Sequence, residues 1–383
     1  MFLALFSSRV FSAVFKLFLV FFVSYFYNDN ALIFSQAWSL YLFFIPFICF
    51  GFVDYFFRHD SSQECGEENY FRITVYCMTV FFVIALVIYG SLAYLNDIYL
   101  NAIFLILVVY AYSQSLLICF ERYCQIYNKL KILMRLQVFV NISSFLLCVI
   151  FYINEWPLNY LLVSIIFFTL SPLIYFYIND ELEQATPSYY AFKKVIKGSI
   201  SFGFISLAYI VLSRGEQLIF SFFADENFAS YFLAARFTDV TYFIMAIFSQ
   251  VNLGRNYQEG RELRISNYIL FSALSIIATV LMTKIGMVIF NVQDVDFFEI
   301  LMFLLPSVII KSAVTFFSDK LFSINRELSL VIPLSILVIL SLAINTIAIY
   351  KLSVTGALVG LYLSLFFQLT VTYVLVKRSN DAA

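Results

Sequence analysis

Several ionisable side chains sit where the surrounding residues are almost all apolar. They are Arg9, Lys16, Arg214, Glu216, Arg236, Asp239 and Lys311. A charge at the centre of a membrane span costs about 2.5–3.5 kcal/mol on insertion scales, so each needs a partner or a task. Arg9 and Lys16 are seven residues apart and share nearly one face of a helix with Ser12. They could form a cationic stripe, or Arg9 could snorkel to the surface. Arg214 and Glu216 are two apart and fall on different faces, so Glu216 needs a partner on another helix, or a proton. Arg236 and Asp239 have i, i+3 spacing. That suits a self-neutralising pair, or a guanidinium fork free to hold phosphate oxygens. Lys311 has no acid at i±4, and a binding role is the preferred reading. Lys284 reads as interfacial, and Asp54, Glu121, Arg122, Asp319 and Lys320 as surface charges at span ends.

The elements that must position these residues are membrane helices. Of the 383 residues, 63% are hydrophobic and only 12% charged, so no polar shell can cover the chain. About 20 apolar residues cross the hydrocarbon core. Spans are predicted near 3–27, 32–57, 71–95, 99–121, 133–153, 158–178, 199–223, 228–252, 268–290, 298–318, 329–349 and 355–376. The fold class is therefore all-α and polytopic, with about twelve transmembrane helices. Pro46, Pro172, Pro306 and Pro333 are expected to kink spans. Gly356 and Gly360 form a G-x-x-x-G packing surface.

Charge asymmetry predicts sidedness. One set of loops and span ends holds Arg58, Arg72, Arg122, Lys129, Lys131, Arg135, Lys193, Lys194, Lys197, Arg255, Arg261, Arg264, Lys320, Arg326, Lys377 and Arg378; the opposite set holds only Lys351. Both termini are expected in the cytoplasm. The N-terminus lacks the basic region and small-residue cleavage site of a signal peptide. An offset of 197 residues superposes the two halves of the span map, pairing Asn30 with Asn227, Ala37 with Ala234, Arg58 with Arg255 and Asp97 with Asp294. Six spans per half imply a parallel repeat, which predicts two six-helix bundles around a central cavity. The expected division is 1–180, a cytoplasmic linker at 181–198, and 199–383.

The segment from Ser213 to Phe237 resembles the helix 7–8 hairpin of Wzx-type O-antigen flippases. It has a polar residue, a short apolar run, an acidic turn, then an aromatic and small residues before Arg236. The stretch from Ile344 to Gly360 resembles their helix 11–12 connection, although Ser353 stands where they carry a glycine. Gly51 to Arg58 is similar to the end of their second helix. Ser8 to Val10 is similar to the first helix of related lipid II flippases. The resemblance, to the multidrug/oligosaccharidyl-lipid/polysaccharide exporter superfamily, is diffuse and covers essentially the whole chain. It implies a cationic cavity, alternating access, proton or sodium coupling, and an oligosaccharide carried on undecaprenyl diphosphate. Partners would be that lipid-linked oligosaccharide, membrane lipid, an O-antigen polymerase and a chain-length regulator. The implied location is a bacterial inner membrane.

On this reading Arg9, Lys16, Arg214, Arg236 and Lys311 bind substrate, and Glu216 and Asp239 are candidates for ion coupling. No cofactor is expected beyond that ion. A metal centre is not expected, because the cysteines form no C-x-x-C pair and His59 is the one histidine. The net charge of −1 gives no general attraction to nucleic acid. An enzyme, either a polymerase or a membrane glycosyltransferase, is a rival reading that the short external loops oppose. A drug or small-solute exporter is another.

Overall fold

The computed structural model describes residues 2–61, 70–95, 101–126, 129–178, 189–223, 227–242, 264–290, 295–323 and 327–381. No strand occurs among them. The helices are α1 (Phe2–Phe26), α2 (Asn28–Cys49), α3 (Phe52–Ser61), α4 (Tyr70–Leu95), α5 (Ala102–Ile126), α6 (Leu130–Ile153), α7 (Leu158–Ile178) and α8 (Tyr189–Phe222). They continue with α9 (228–242), α10 (Ile265–Phe290), α11 (Val295–Leu304), α12 (Ser307–Ser323) and α13 (Val331–Asp381). Among the described residues, eight helices are long and apolar enough to cross a membrane. Large apolar side chains point outward, as on α4 (Val80, Val83, Val87) and α10 (Leu270, Leu274, Ile277). This is a multi-pass membrane protein. Lipid satisfies the outer faces, and the helical backbone satisfies its own polar groups.

The chain divides into two compact units. One comprises Met1–Phe15 with Phe22–Leu207, and the other Lys16–Phe21 with Ala208–Ala383. In the first, α5 is the central post, packed by α2, α3, α4, α6 and α7. Its small polar residues Ser113, Gln114 and Ser115 are buried. The Ser113 and Ser115 hydroxyls donate to carbonyls one turn back on their own helix, which lets them sit in an apolar core. Trp38, Tyr41 and Tyr110 form an aromatic wedge between α2 and α5, with Tyr41 and Tyr110 stacked 5.1 Å apart. The five described cysteines are free thiols.

The span expected at 32–57 is broken rather than continuous. α2 contains Pro46 and ends at Phe50, which adopts φ 30° and ψ 45°. Gly51 follows at φ 70°, and α3 then starts at Phe52. A Cβ on Gly51 would lie 2.5 Å from the Gly203 backbone nitrogen of α8, so close approach and backbone conformation both demand glycine.

In the second unit α12 packs on α10 and α13. Pro306 marks the gap between α11 and α12, at an interrupted helical ladder. The Tyr362 hydroxyl donates to the Phe303 carbonyl at 2.6 Å, and its oxygen receives the Ser307 backbone N–H. It therefore stands between the acceptor and donor that an unbroken helix would have joined directly. α13 is 51 residues long, about 75 Å at the helical rise and more than twice the hydrocarbon core. It breaks at Ser353 (φ 48°, ψ −124°) and folds back on itself. There Ser341 and Ser364 share a hydrogen bond of 2.6 Å, and the Asn345 amide donates to Ser341. Gly356 and Gly360 make room: a Cβ on them would collide with the Ala348 carbonyl and the Asn345 side chain.

Candidate functional site: a buried charge cluster

The cluster lies within the second unit and draws on three helices. α8 contributes Arg214, Glu216 and Gln217; α9 contributes Tyr231, Phe232, Arg236 and Asp239; α12 contributes Lys311. Asp239 is the hub. Arg236 Nη1 lies 2.8 Å from its Oδ2, Arg214 Nη2 lies 3.4 Å from the same oxygen, and Lys311 Nζ lies 3.9 Å from Oδ1. One carboxylate thus faces three cations. Arg236 also donates through Nη2 to Gln217 Oε1 and lies over the Phe232 ring at 4.8 Å. Gln217 in turn donates to Glu216 Oε1 at 3.2 Å, and the Tyr231 hydroxyl reaches the same oxygen at 3.3 Å.

Burial raises the stakes of this arrangement. Glu216, Arg236 and Lys311 have relative exposures of 1%, 5% and 6%. Two unit charges 4 Å apart interact by about 4 kcal/mol at an effective dielectric of about 20, so both the attractions and the cation–cation repulsions matter here. Three buried polar atoms of the cluster have no hydrogen-bond partner among the described residues: the Arg236 Nε–H, a donor; Glu216 Oε2, an acceptor; and Asp239 Oδ2, which is held by ion pairs alone. With Asp239 ionised, the three cations carry a surplus of two positive charges before Glu216 is counted. The cluster could take up an anion with several oxygens on one side. It could take a proton or small cation at Glu216 on the other.

Below the cluster, α12 presents a hydroxyl-rich face at helical spacing. Thr315 and Ser318 follow Lys311 at i+4 and i+7. Thr315 shares a hydrogen bond of 2.6 Å with Tyr242, and Ser318 bonds Tyr209. Ser312 is bonded by Ser272 of α10. Asp319, expected at the surface, is instead 6% exposed and accepts a hydrogen bond of 2.9 Å from Tyr268. The buried tyrosine offsets the cost of taking that carboxylate out of water.

The structure therefore brings together Arg214, Glu216, Arg236, Asp239 and Lys311. Lys16 is half-buried on α1, and none of the three contacts to Asp239 involves it. Arg9 also lies on α1, and its side chain falls outside the described residues. So does that of His59. Gln217, which links Glu216 to Arg236, and Tyr231 are further members of the cluster that spacing alone does not single out. Tyr231 carries one signal: it falls opposite Phe34 in the 197-residue offset, an aromatic position that in this half carries a hydroxyl.

This chain is 14% identical to the lipid II flippase MurJ in its inward closed conformation. The match covers 97% of this chain and 87% of that one, with a TM-score of 0.61. The MATE multidrug transporter DinF-BH matches over 99% of this chain and 94% of its own, at 12% identity and a TM-score of 0.64. The eukaryotic MATE transporter AtDTX14 matches over 98% and 93%, at 12% identity and a TM-score of 0.52. The fold is that of the MurJ and MATE transporters. No protein-family model matches the chain, and no curated protein matches it in sequence.

Proposed function

We propose that this chain is a flippase that carries an oligosaccharide linked to undecaprenyl diphosphate from the cytoplasmic to the periplasmic leaflet. Arg214, Arg236 and Lys311, gathered around a single carboxylate, carry this reading. A diphosphate supplies the charge and the multiple oxygens that such a surplus of buried donors would accept. No bond is made or broken, so no catalytic residue is required. The sugar and diphosphate cross between two bundles that open in turn, and the lipid tail stays in the bilayer. On this reading Arg9 and Lys16 also bind substrate, with 1–180 and 199–383 as the two bundles. Glu216 is the better candidate for ion coupling. Its Oε2 is unclaimed, whereas Asp239 is already surrounded by cations. The carried ion would be H+ or Na+, and the setting a bacterial inner membrane with an O-antigen polymerase and a chain-length regulator nearby.

The test is complementation of a strain lacking the chain, scored for surface polysaccharide and for lipid-linked repeat units on the cytoplasmic leaflet. Arg236→Gln and Lys311→Gln should each remove surface polysaccharide at normal protein levels, with repeat units accumulating inside. Wild-type polysaccharide from both variants would overturn the assignment.

A drug exporter is the second reading, favoured by the likeness to DinF-BH and by the open acceptor on Glu216. The positive surplus beside Glu216 opposes it, because it repels an organic cation. Cells expressing the chain should accordingly not extrude a cationic dye such as ethidium.

A further inference from the structure

Asp239 occupies an unusual position for a buried carboxylate. Its Oδ2 lies 2.8 Å from Arg236 and 3.4 Å from Arg214, and its Oδ1 lies 3.9 Å from Lys311. It comes from the same helix as Arg236 and reaches outward to cations on two others. The three cations therefore converge on one point, and that point is held by an oxyanion. Without it, three like charges would be buried within a few ångströms of one another and would push the helices apart. With it they stay assembled, but their donors are partly consumed. The Arg236 Nε–H remains free, a donor that the carboxylate does not reach. Arg214 is the most exposed of the cations at 22% of its side chain and Asp239 is 11% exposed, while the Asp239 Oδ2 atom on which the two guanidinium groups converge is itself buried.

We infer that Asp239 is a resident counter-anion that occupies the position of a diphosphate oxygen, so that ligand binding exchanges this carboxylate for a phosphate. The inference rests on the reading of the cluster as a diphosphate site. It assigns Asp239 a positioning role: the residue keeps the cations gathered when the site is empty and competes with the ligand when it is full. A competitor of this kind weakens binding and speeds release, which suits a carrier that must let go on the far side. The exchange also preserves charge balance. A diphosphate brings at least two negative charges, enough to match the surplus, while Asp239 turns toward one cation, most simply its i−3 neighbour Arg236.

The test uses the full chain in nanodiscs, with inorganic pyrophosphate titrated calorimetrically. Asp239→Asn should bind pyrophosphate at least about tenfold more tightly than wild type, a gain of about 1.4 kcal/mol. Its thermal midpoint should drop without pyrophosphate and recover when pyrophosphate is saturating. Transport turnover should fall as affinity rises. Unchanged or weaker binding by a folded Asp239→Asn protein would overturn the exchange. If that variant does not fold, Arg214→Gln and the charge-balanced Arg214→Gln/Asp239→Asn pair replace it. The double variant should bind more tightly than the single, and equal or weaker binding overturns the proposal. Arg236→Gln and Lys311→Gln separate the two levels. If neither weakens pyrophosphate binding, the diphosphate site itself is wrong. If both weaken it but loss of Asp239 does not tighten it, only the exchange fails. A polyprenyl diphosphate in the nanodisc should compete with pyrophosphate and show the same tightening. Tightening confined to pyrophosphate supports the exchange with a soluble ligand.

Discussion

At the scale of single residues, the decisive quantity is how many donors share each acceptor. Asp239 is oversubscribed, while Glu216 uses one oxygen for Gln217 and Tyr231 and leaves the other bare. The two carboxylates are therefore not interchangeable, although both stand out equally in the sequence as acids within apolar runs. Glu216→Gln keeps the shape and the acceptor toward Tyr231 but cannot take up a proton or ligate a cation as an anion. Transport in proteoliposomes by this variant should lose its dependence on an imposed proton or sodium gradient, while pyrophosphate binding stays within about threefold of wild type. A gradient response equal to wild type would remove Glu216 from coupling. The composition of the site was legible in the sequence because each of its charges is costly where it sits. Its pairing was not. Arg214, Asp239 and Lys311 are far apart along the chain, and spacing alone says nothing about the register of three helices. The one short-range pair, Arg236 with Asp239, could be read from i, i+3 geometry, but the two further cations on the same carboxylate could not.

At the scale of the element, helix breaks decide where the polar faces point. Pro306, expected only to kink its span, stands at the break between α11 and α12, because a missing N–H and a ring clash are properties of the residue itself. The break at Phe50–Gly51 was not legible in the same way. A phenylalanine at φ 30° is held there by packing against α8, and only Gly51 hinted at it. Each break leaves backbone groups that lipid cannot satisfy. At the α11–α12 gap Tyr362 serves both the Phe303 carbonyl and the Ser307 N–H. Tyr362→Phe removes only the hydroxyl. It should cost about 1–3 kcal/mol, the cost of leaving a desolvated polar group unmade, read as a lowered thermal midpoint in detergent. It should also weaken transport, because the start of α12 sets the direction of Lys311. An unchanged midpoint would mean that the gap finds other partners.

At the scale of the whole molecule, the apolar exterior and the charge asymmetry of the loops set insertion. The span map read from the sequence follows the described helices closely where each element is one uninterrupted apolar run, as for α4, α5, α6 and α7. It departs where a run is broken inside the bilayer, because hydropathy averages over a break. Orientation is a separate matter that the loop charges address. We predict that a fluorescent protein fused after Ala383 will fluoresce and that alkaline phosphatase fused there will be inactive, with the reverse pattern for fusions after Lys351. Active phosphatase at the C-terminus would invert the topology.

The fold-back of α13 at Ser353 bears on how the chain is made. Ser341 and Asn345 of the first limb both meet Ser364 across the bend, and Gly360 is bare so that Asn345 can lie against it. While only the first limb has emerged from the ribosome, Asn345 can bond only Ser341 one turn back, Ser341 lacks its partner Ser364, and both are poor company for acyl chains. The two limbs are therefore expected to enter the bilayer together, as one hairpin. A chain cut short at the bend should be stalled and degraded rather than merely shortened.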